Sequence, residues 1–132
     1  MSDIFDTKQS FADLGLRPEV VSGIAEAGFA HPTQVQAALI PKAITGRDIM
    51  GQSKTGTGKT AAFLLACMNL LLESEPLEQH EEGNPRALIL APTRELALQI
   101  FKDAEVLGAH TELRFGVVYG GTGYESQRNM VA

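Results

Sequence analysis

The chemistry of this 132-residue chain is most concentrated in residues 51–60, GQSKTGTGKT. Gly58-Lys59-Thr60 completes the phosphate-loop pattern G-x-x-x-x-G-K-[ST]. Gly56 and Gly58 allow the backbone to turn so that successive N–H groups, those of Lys54, Thr55 and Thr57 among them, converge as an anion-binding nest. Lys59 places a point charge where β- and γ-phosphates would lie, and the Thr60 hydroxyl can take one Mg²⁺ position. Ser53 stands where the pattern opens with glycine. That position needs a small residue near a strand end, and serine is small. A plain turn would also be rich in Gly, Ser and Thr, but a strand before the segment and a helix after it favour the loop.

The surrounding pattern supplies both elements. RDIMG (residues 47–51) reads as a strand running into the loop, and a helix follows from Lys59, apolar nearly all round through Phe63, Leu64, Leu65, Met68, Leu70 and Leu71. Upstream, Pro18 suits the first turn of a helix bearing Val20, Val21 and Ile24, closed by Gly28. Thr33 can cap a second short helix through Leu39 and Ile40, stopped near Pro41. ALILA (residues 87–91) is a continuous apolar run, as expected of a strand buried on both faces. Leu96, Ala97, Ile100, Phe101, Ala104 and Leu107 keep helical spacing, and FGVVYGG (residues 115–121) reads as a third strand. Strands alternating with helices predict an α/β fold with a mostly parallel sheet. Ligands of such sheets bind beyond the carboxyl ends of the strands. Each expected strand ends in a distinctive cluster: residues 53–60, then PTRE (residues 92–95), then Gly120-Gly121.

Composition bounds the class. Apolar residues make up 44% and charged residues 20%, ordinary values for one small globular domain. The net charge is −5, yet Glu73, Glu75, Glu78, Glu81 and Glu82 lie in a tract without Lys or Arg, which leaves 11 acids against 11 bases elsewhere. That tract carries prolines and a glycine and reads as a solvated loop. Charge therefore argues neither for nor against a phosphate-bearing partner. Cys67 lies in an apolar run and reads as a small core residue in a reducing compartment. No apolar stretch is long enough for a membrane span, and the N-terminus lacks the pattern of a signal peptide, so the cytoplasm is the expected location. His31, His80 and His110 have no metal-ligand spacing and read as surface residues.

A phosphate loop of this type, lacking its first glycine, resembles motif I of the DEAD-box RNA helicases. GFAHPTQVQ (residues 28–36) is similar to that family's Q motif, with Gln36 at the glutamine position and Phe29 after the glycine. Phe11 lies 17 residues before Gly28, at the spacing of the family's isolated upstream aromatic. PTRELA (residues 92–97) matches motif Ia, and Gly120-Gly121 matches the GG motif. These motifs follow the family's order along nearly the whole chain, and the surrounding segments look closest to bacterial members. The resemblance implies a partial RecA-like phosphate-loop domain over residues 11–132, preceded by a tail over residues 1–10. It implies ATP and ADP as ligands, Mg²⁺ as cofactor and RNA as partner.

On that resemblance the ATP-binding residues are Phe11, Phe29, Gln36 and the loop from Ser53 to Thr60, with Lys59 and Thr60 in catalysis and Thr60 on Mg²⁺. Gln36 presents a donor and an acceptor and can pair with the N6 and N7 edge of adenine, which guanine does not match. Phe11 can stack on the base, although a core aromatic is the alternative. Neighbouring Gln34 would suit the adenine role equally, and only alignment to PTxxQ selects Gln36. The RNA-contacting residues are Pro92, Thr93, Arg94, Glu95, Gly120 and Gly121. Helix-start amides, the Thr93 hydroxyl and the Arg94 guanidinium suit a nucleic-acid phosphate. An ordinary N-cap, with Arg94 paired to a carboxylate, is the alternative. Gly121-Thr122-Gly123 also hints at a dinucleotide loop, but Ser126 stands at the third glycine position.

The departures from the family are equally plain. The dipeptide Asp-Glu and the tripeptide Ser-Ala-Thr occur nowhere in the chain. Neither Asp48 nor Asp103 sits where the motif's aspartate would. The resemblance implies the ATP-binding portion of an enzyme that couples ATP binding and hydrolysis to RNA duplex unwinding, with the 132-residue chain expected to be inactive alone; a nucleotide-binding module without turnover, or a phosphate-loop NTPase of another kind, is the alternative. In the family's topology further strands lie between the phosphate-loop strand and the PTRELA strand, so apolar sheet edges are expected to be exposed.

Overall fold

The computed structural model describes residues 5–52, 58–74 and 85–120. Four helices dominate: α1 (Pro18–Glu26), α2 (Gln34–Ala43), α3 (Lys59–Glu73) and α4 (Arg94–Leu107). A short 3₁₀ turn, Phe11–Leu14, precedes them.

Each helix begins where its local chemistry dictates. Pro18 occupies the first turn of α1, where its missing N–H leaves no bond unmade. Thr33 caps α2 and Thr93 caps α4, each hydroxyl accepting an amide of its helix's first turn at 3.1 Å. Gly58 caps α3 at φ +82°, a left-handed conformation that favours glycine. Gly28, at φ +93°, ends the α1 region as the sequence suggests.

The core lies among the helices. Val20 and Ile24 of α1, Ile40 of α2, Leu64, Leu65 and Met68 of α3, and Ala104 and Leu107 of α4 form one buried cluster with Phe11, Leu14 and Leu16. α3 lies chiefly against α2, which brings the two helix starts together. α1 crosses α4 with backbone almost in contact: a Cβ on Gly23 would sit 2.0 Å from the Leu107 carbonyl oxygen. Asn69, wholly buried in α3, accepts the Arg17 N–H at 2.7 Å and so ties the start of α1 to α3. At the other end of α3, Arg86 donates to the Leu71 and Ser74 carbonyls at 3.2 and 3.1 Å, satisfying acceptors that a helix end leaves open.

One expectation is revised, and the expected sheet is not seen among the described residues. α2 does not stop near Pro41 but continues through it to Ala43. Proline removes its own bond to the preceding turn, yet the Ile44 N–H still reaches the Ile40 carbonyl at 3.1 Å, and Ile40 and Ala43 are buried. The expected strands 47–51 and 87–91, and residues 115–120 of the third, form no ladder. Among the described residues the only β pairing is an isolated antiparallel bridge between Phe5 and Thr33. A strand exists through a ladder of hydrogen bonds to a neighbour, and among the described residues no such ladder joins these segments. Leu88, Ile89 and Leu90 are accordingly 77%, 49% and 84% exposed, where burial on both faces was expected. Residues 115–119 alternate half-buried and exposed, with Phe115 packed on the core. Within residues 5–10, the Asp6 N–H donates to the Pro32 carbonyl at 2.8 Å.

Candidate functional site

The α2 start and the end of the phosphate loop meet at one side chain. Gln36 stands at the third position of α2, and its Oε1 accepts the Thr33 N–H at 2.9 Å while its own N–H donates to Thr33 Oγ1. This reciprocal capping box satisfies two orphan amides of the helix start. The same amide then reaches across to α3, where Nε2 donates to the Gly58 carbonyl at 3.2 Å. Gln36 is 4% exposed. Its partners also fix the amide's orientation, since one of them can only donate and the other only accept.

Gly58 is required twice over at this junction. Its backbone is left-handed, and a Cβ there would lie 2.4 Å from Gln36 Nε2 and 3.1 Å from Thr33 Cγ2. An amide offers two donors and two acceptor lone pairs. The junction uses one of each, which leaves one of each for an adenine edge. Gln34, its rival by residue type, is exposed and lines a shallow depression with Phe5, Asp6, Thr7 and Lys8. The structure separates the two glutamines where residue type alone did not.

Of the other nucleotide candidates, two directly follow Gly58 in the chain. Lys59 and Thr60 occupy the first turn of α3 and are partly exposed, at the positive end of the helix. Ser53, Lys54, Thr55, Gly56 and Thr57 lie outside the described residues. Phe29 is 49% exposed. Phe11 is only 5% exposed and packs in the hydrophobic cluster, the alternative placement that its residue type allowed. Cys67 is half-buried, and burial pushes its thiol pKa up. At the 3₁₀ turn, hydrogen bonds from Ser10 hold the Asp13 carboxyl below its ordinary value.

The nucleic-acid candidates form a second cluster. Pro92, Thr93, Arg94 and Glu95 are exposed at the start of α4. Arg94 pairs with no carboxylate among the described residues. Its guanidinium instead donates to the Gly120 carbonyl at 3.0 Å and stands over the Tyr119 ring, 5.3 Å from the centroid. A groove of about 480 Å³ runs beside it, lined by residues 88–94, Ala97 and residues 118–120. Nothing would obstruct a Cβ on Gly120 within 4 Å, so this segment presents open backbone. Gly121 lies outside the described residues. Of the surface histidines, His31 contacts the Gln9 carbonyl and His110 pairs with Glu26. Sequence reasoning missed the Gln36–Gly58 bond and the role of Tyr119. The capping-box spacing T-x-x-Q was legible, but which loop its glutamine faces was not.

The family model for the DEAD/DEAH box helicase matches residues 33–132. The chain is 52% identical to an ATP-dependent RNA helicase RhlB of Idiomarina loihiensis over 126 residues, covering 96% of the chain and 29% of that protein. It is 50% identical over 131 residues to the RhlB of Shewanella amazonensis, covering 99% of the chain and 30% of the relative. The chain thus spans under a third of the length of these relatives. Among solved structures, a DEAD box protein from Methanococcus jannaschii superposes with TM-score 0.78 at 31% identity, over 92% of the chain and 32% of that structure. The RNA helicase Prp28 from Chaetomium thermophilum, bound to ADP, superposes with TM-score 0.77 at 35% identity, over 90% of the chain and 28% of its own. No helix among the described residues is long and apolar enough to cross a membrane.

Proposed function

Because the chain belongs to the DEAD/DEAH box helicase family, we propose that it is the ATP-binding part of an ATP-dependent RNA helicase that opens RNA duplexes. The observation that carries this reading is the junction of Gln36 with Gly58, which links a residue able to read adenine to the loop able to hold its phosphates. In this reading Gln36 selects the base, with the exposed Phe29 as the aromatic that could lie beside it. Residues 53–58 wrap the phosphates, and Lys59 holds the β and γ groups. Pro92, Thr93, Arg94, Glu95, Gly120 and Gly121 take the RNA backbone. In the complete protein the RecA-like sheet would be closed by strands from the rest of the core. The cytoplasm suits its single cysteine.

Thr60 is the residue that fits Mg²⁺. Its hydroxyl is a hard oxygen ligand at the helix start, partly open to solvent. No cluster of three His, Cys, Asp or Glu able to hold a metal occurs among the described residues, so the ion would be shared with phosphate oxygens and water. When bound, Mg²⁺ neutralises charge on the transferring phosphate. The chain contains no Asp-Glu dipeptide to complete that shell or to position water. The 132-residue chain therefore binds nucleotide without turning it over.

Calorimetric titration tests the reading. ATP and ADP should bind detectably and GTP much more weakly. Removing a charge-assisted contact costs roughly 1.5–3 kcal/mol, so Lys59→Ala should weaken ATP about tenfold to 150-fold. Equal affinities of the two proteins would mean that the loop does not hold phosphate.

A further inference from the structure

We propose that Tyr119 is a positioning residue for Arg94, holding the guanidinium ready for a nucleic-acid phosphate. The inference rests on the reading of Arg94 as an RNA contact and names what prepares it. An exposed arginine at a helix start has many rotamers, and a phosphate contact must first restrict them. Two restraints limit that freedom here. The Gly120 carbonyl takes one N–H at 3.0 Å, and the Tyr119 ring lies beneath the cation at 5.3 Å, within the range of cation–π attraction. Guanidinium carries five N–H donors, so this grip leaves the fork able to bind phosphate. No carboxylate pairs with it among the described residues.

The chain builds this grip from its own pattern. Residues 115–119 alternate with period two, which puts Phe115 and Tyr119 on one side. Phe115 packs against Gly108 just beyond the end of α4, while Tyr119 lies over Arg94 at its beginning. The extended segment therefore runs back along α4 and delivers the ring to the helix start. Tyr119 also lines the groove that Thr93 and Arg94 border, so ring and cation face the same space.

A double-mutant cycle tests the proposal, with RNA affinity measured by fluorescence anisotropy on a single-stranded polyuridylate at several salt concentrations. Arg94→Ala should weaken binding and lower the salt slope by about one. Tyr119→Leu should weaken it about threefold to tenfold, the scale of a partly exposed cation–π pair. Tyr119→Phe should stay within about twofold of the unsubstituted chain, because the ring face persists. In the Arg94→Ala background, Tyr119→Leu should bring no further loss. Helical circular dichroism accompanies each variant, and Tyr119→Met replaces Tyr119→Leu if the latter loses signal. Unchanged RNA binding in Arg94→Ala would remove the phosphate reading itself. An effect of Arg94→Ala with none of Tyr119→Leu would overturn the positioning role alone. Full additivity in the cycle, or a loss in Tyr119→Phe as large as in Tyr119→Leu, would overturn it too.

Discussion

Gln36 shows how one side chain can serve two elements. Its amide completes the cap of α2 and holds the carbonyl of the residue that starts α3. Deleting it therefore acts on stability and on binding together. Gln36→Ala should destabilise the fold by about 1–3 kcal/mol, since the buried Thr33 N–H loses its partner while the Gly58 carbonyl keeps only the Ala62 N–H. The same variant should narrow the preference for ATP over GTP. Exposed Gln34→Ala should leave both nearly unchanged. Chemical denaturation and competition binding would check the pair, and equal effects of the two substitutions would contradict the division of roles. Gly58→Ala meets the same amide from the other side. A left-handed backbone and a 2.4 Å approach to Gln36 Nε2 oppose the new methyl. It should lower stability by about 1–3 kcal/mol and weaken ATP.

At the scale of elements, the α1–α4 crossing offers a decision between two magnitudes. Replacing a helical glycine by alanine gains about 1 kcal/mol of helix propensity. At Gly23 the added Cβ would stand 2.0 Å from the Leu107 carbonyl, which is backbone and cannot rotate away. Overpacking of that kind costs typically 1–3 kcal/mol or more, so the clash should win and Gly23→Ala should lower the melting temperature. Ser22→Ala, on the exposed side of the same helix, gains propensity without the clash and should keep or raise it. A thermal melt of the two variants is sufficient. A stabilised Gly23→Ala would mean that the helices cross more loosely than their backbones indicate.

At the scale of the whole molecule, an apolar segment lies exposed among the described residues. Leu88, Ile89 and Leu90 are largely exposed, and unpaired extended backbone of this kind is a template for association. Sedimentation velocity should show concentration-dependent self-association of the 132-residue chain. Leu90→Glu should shift it toward the monomer by placing charge on the most exposed of the three. Identical profiles for both proteins would assign any association to another surface. Phosphate release measured with and without RNA should remain at background, because the chain lacks an Asp-Glu pair. RNA-stimulated turnover would contradict the non-catalytic reading.

Much of this molecule is determined locally and was legible from residue order alone. Helix starts follow from Thr33, Thr93, Pro18 and Gly58, whose capping chemistry needs only near neighbours. The family follows from GKT, PTxxQ, PTRELA and GG in sequence, and the match over residues 33–132 bears it out. Long-range decisions were not legible. An apolar run such as ALILA favours extended chain, but only a neighbouring strand makes it part of a sheet. Phe11 has the spacing of a stacking aromatic, yet tertiary packing places it in the core. Pro41 marks a helix end by its missing N–H, while burial of Ile40 and Ala43 accompanies the continuation of α2 to Ala43. The sequence by itself determined the family and the helices. Tertiary structure alone decided which glutamine faces the loop and what grips Arg94, because those contacts join residues 22 and 26 positions apart whose meeting depends on how the helices pack.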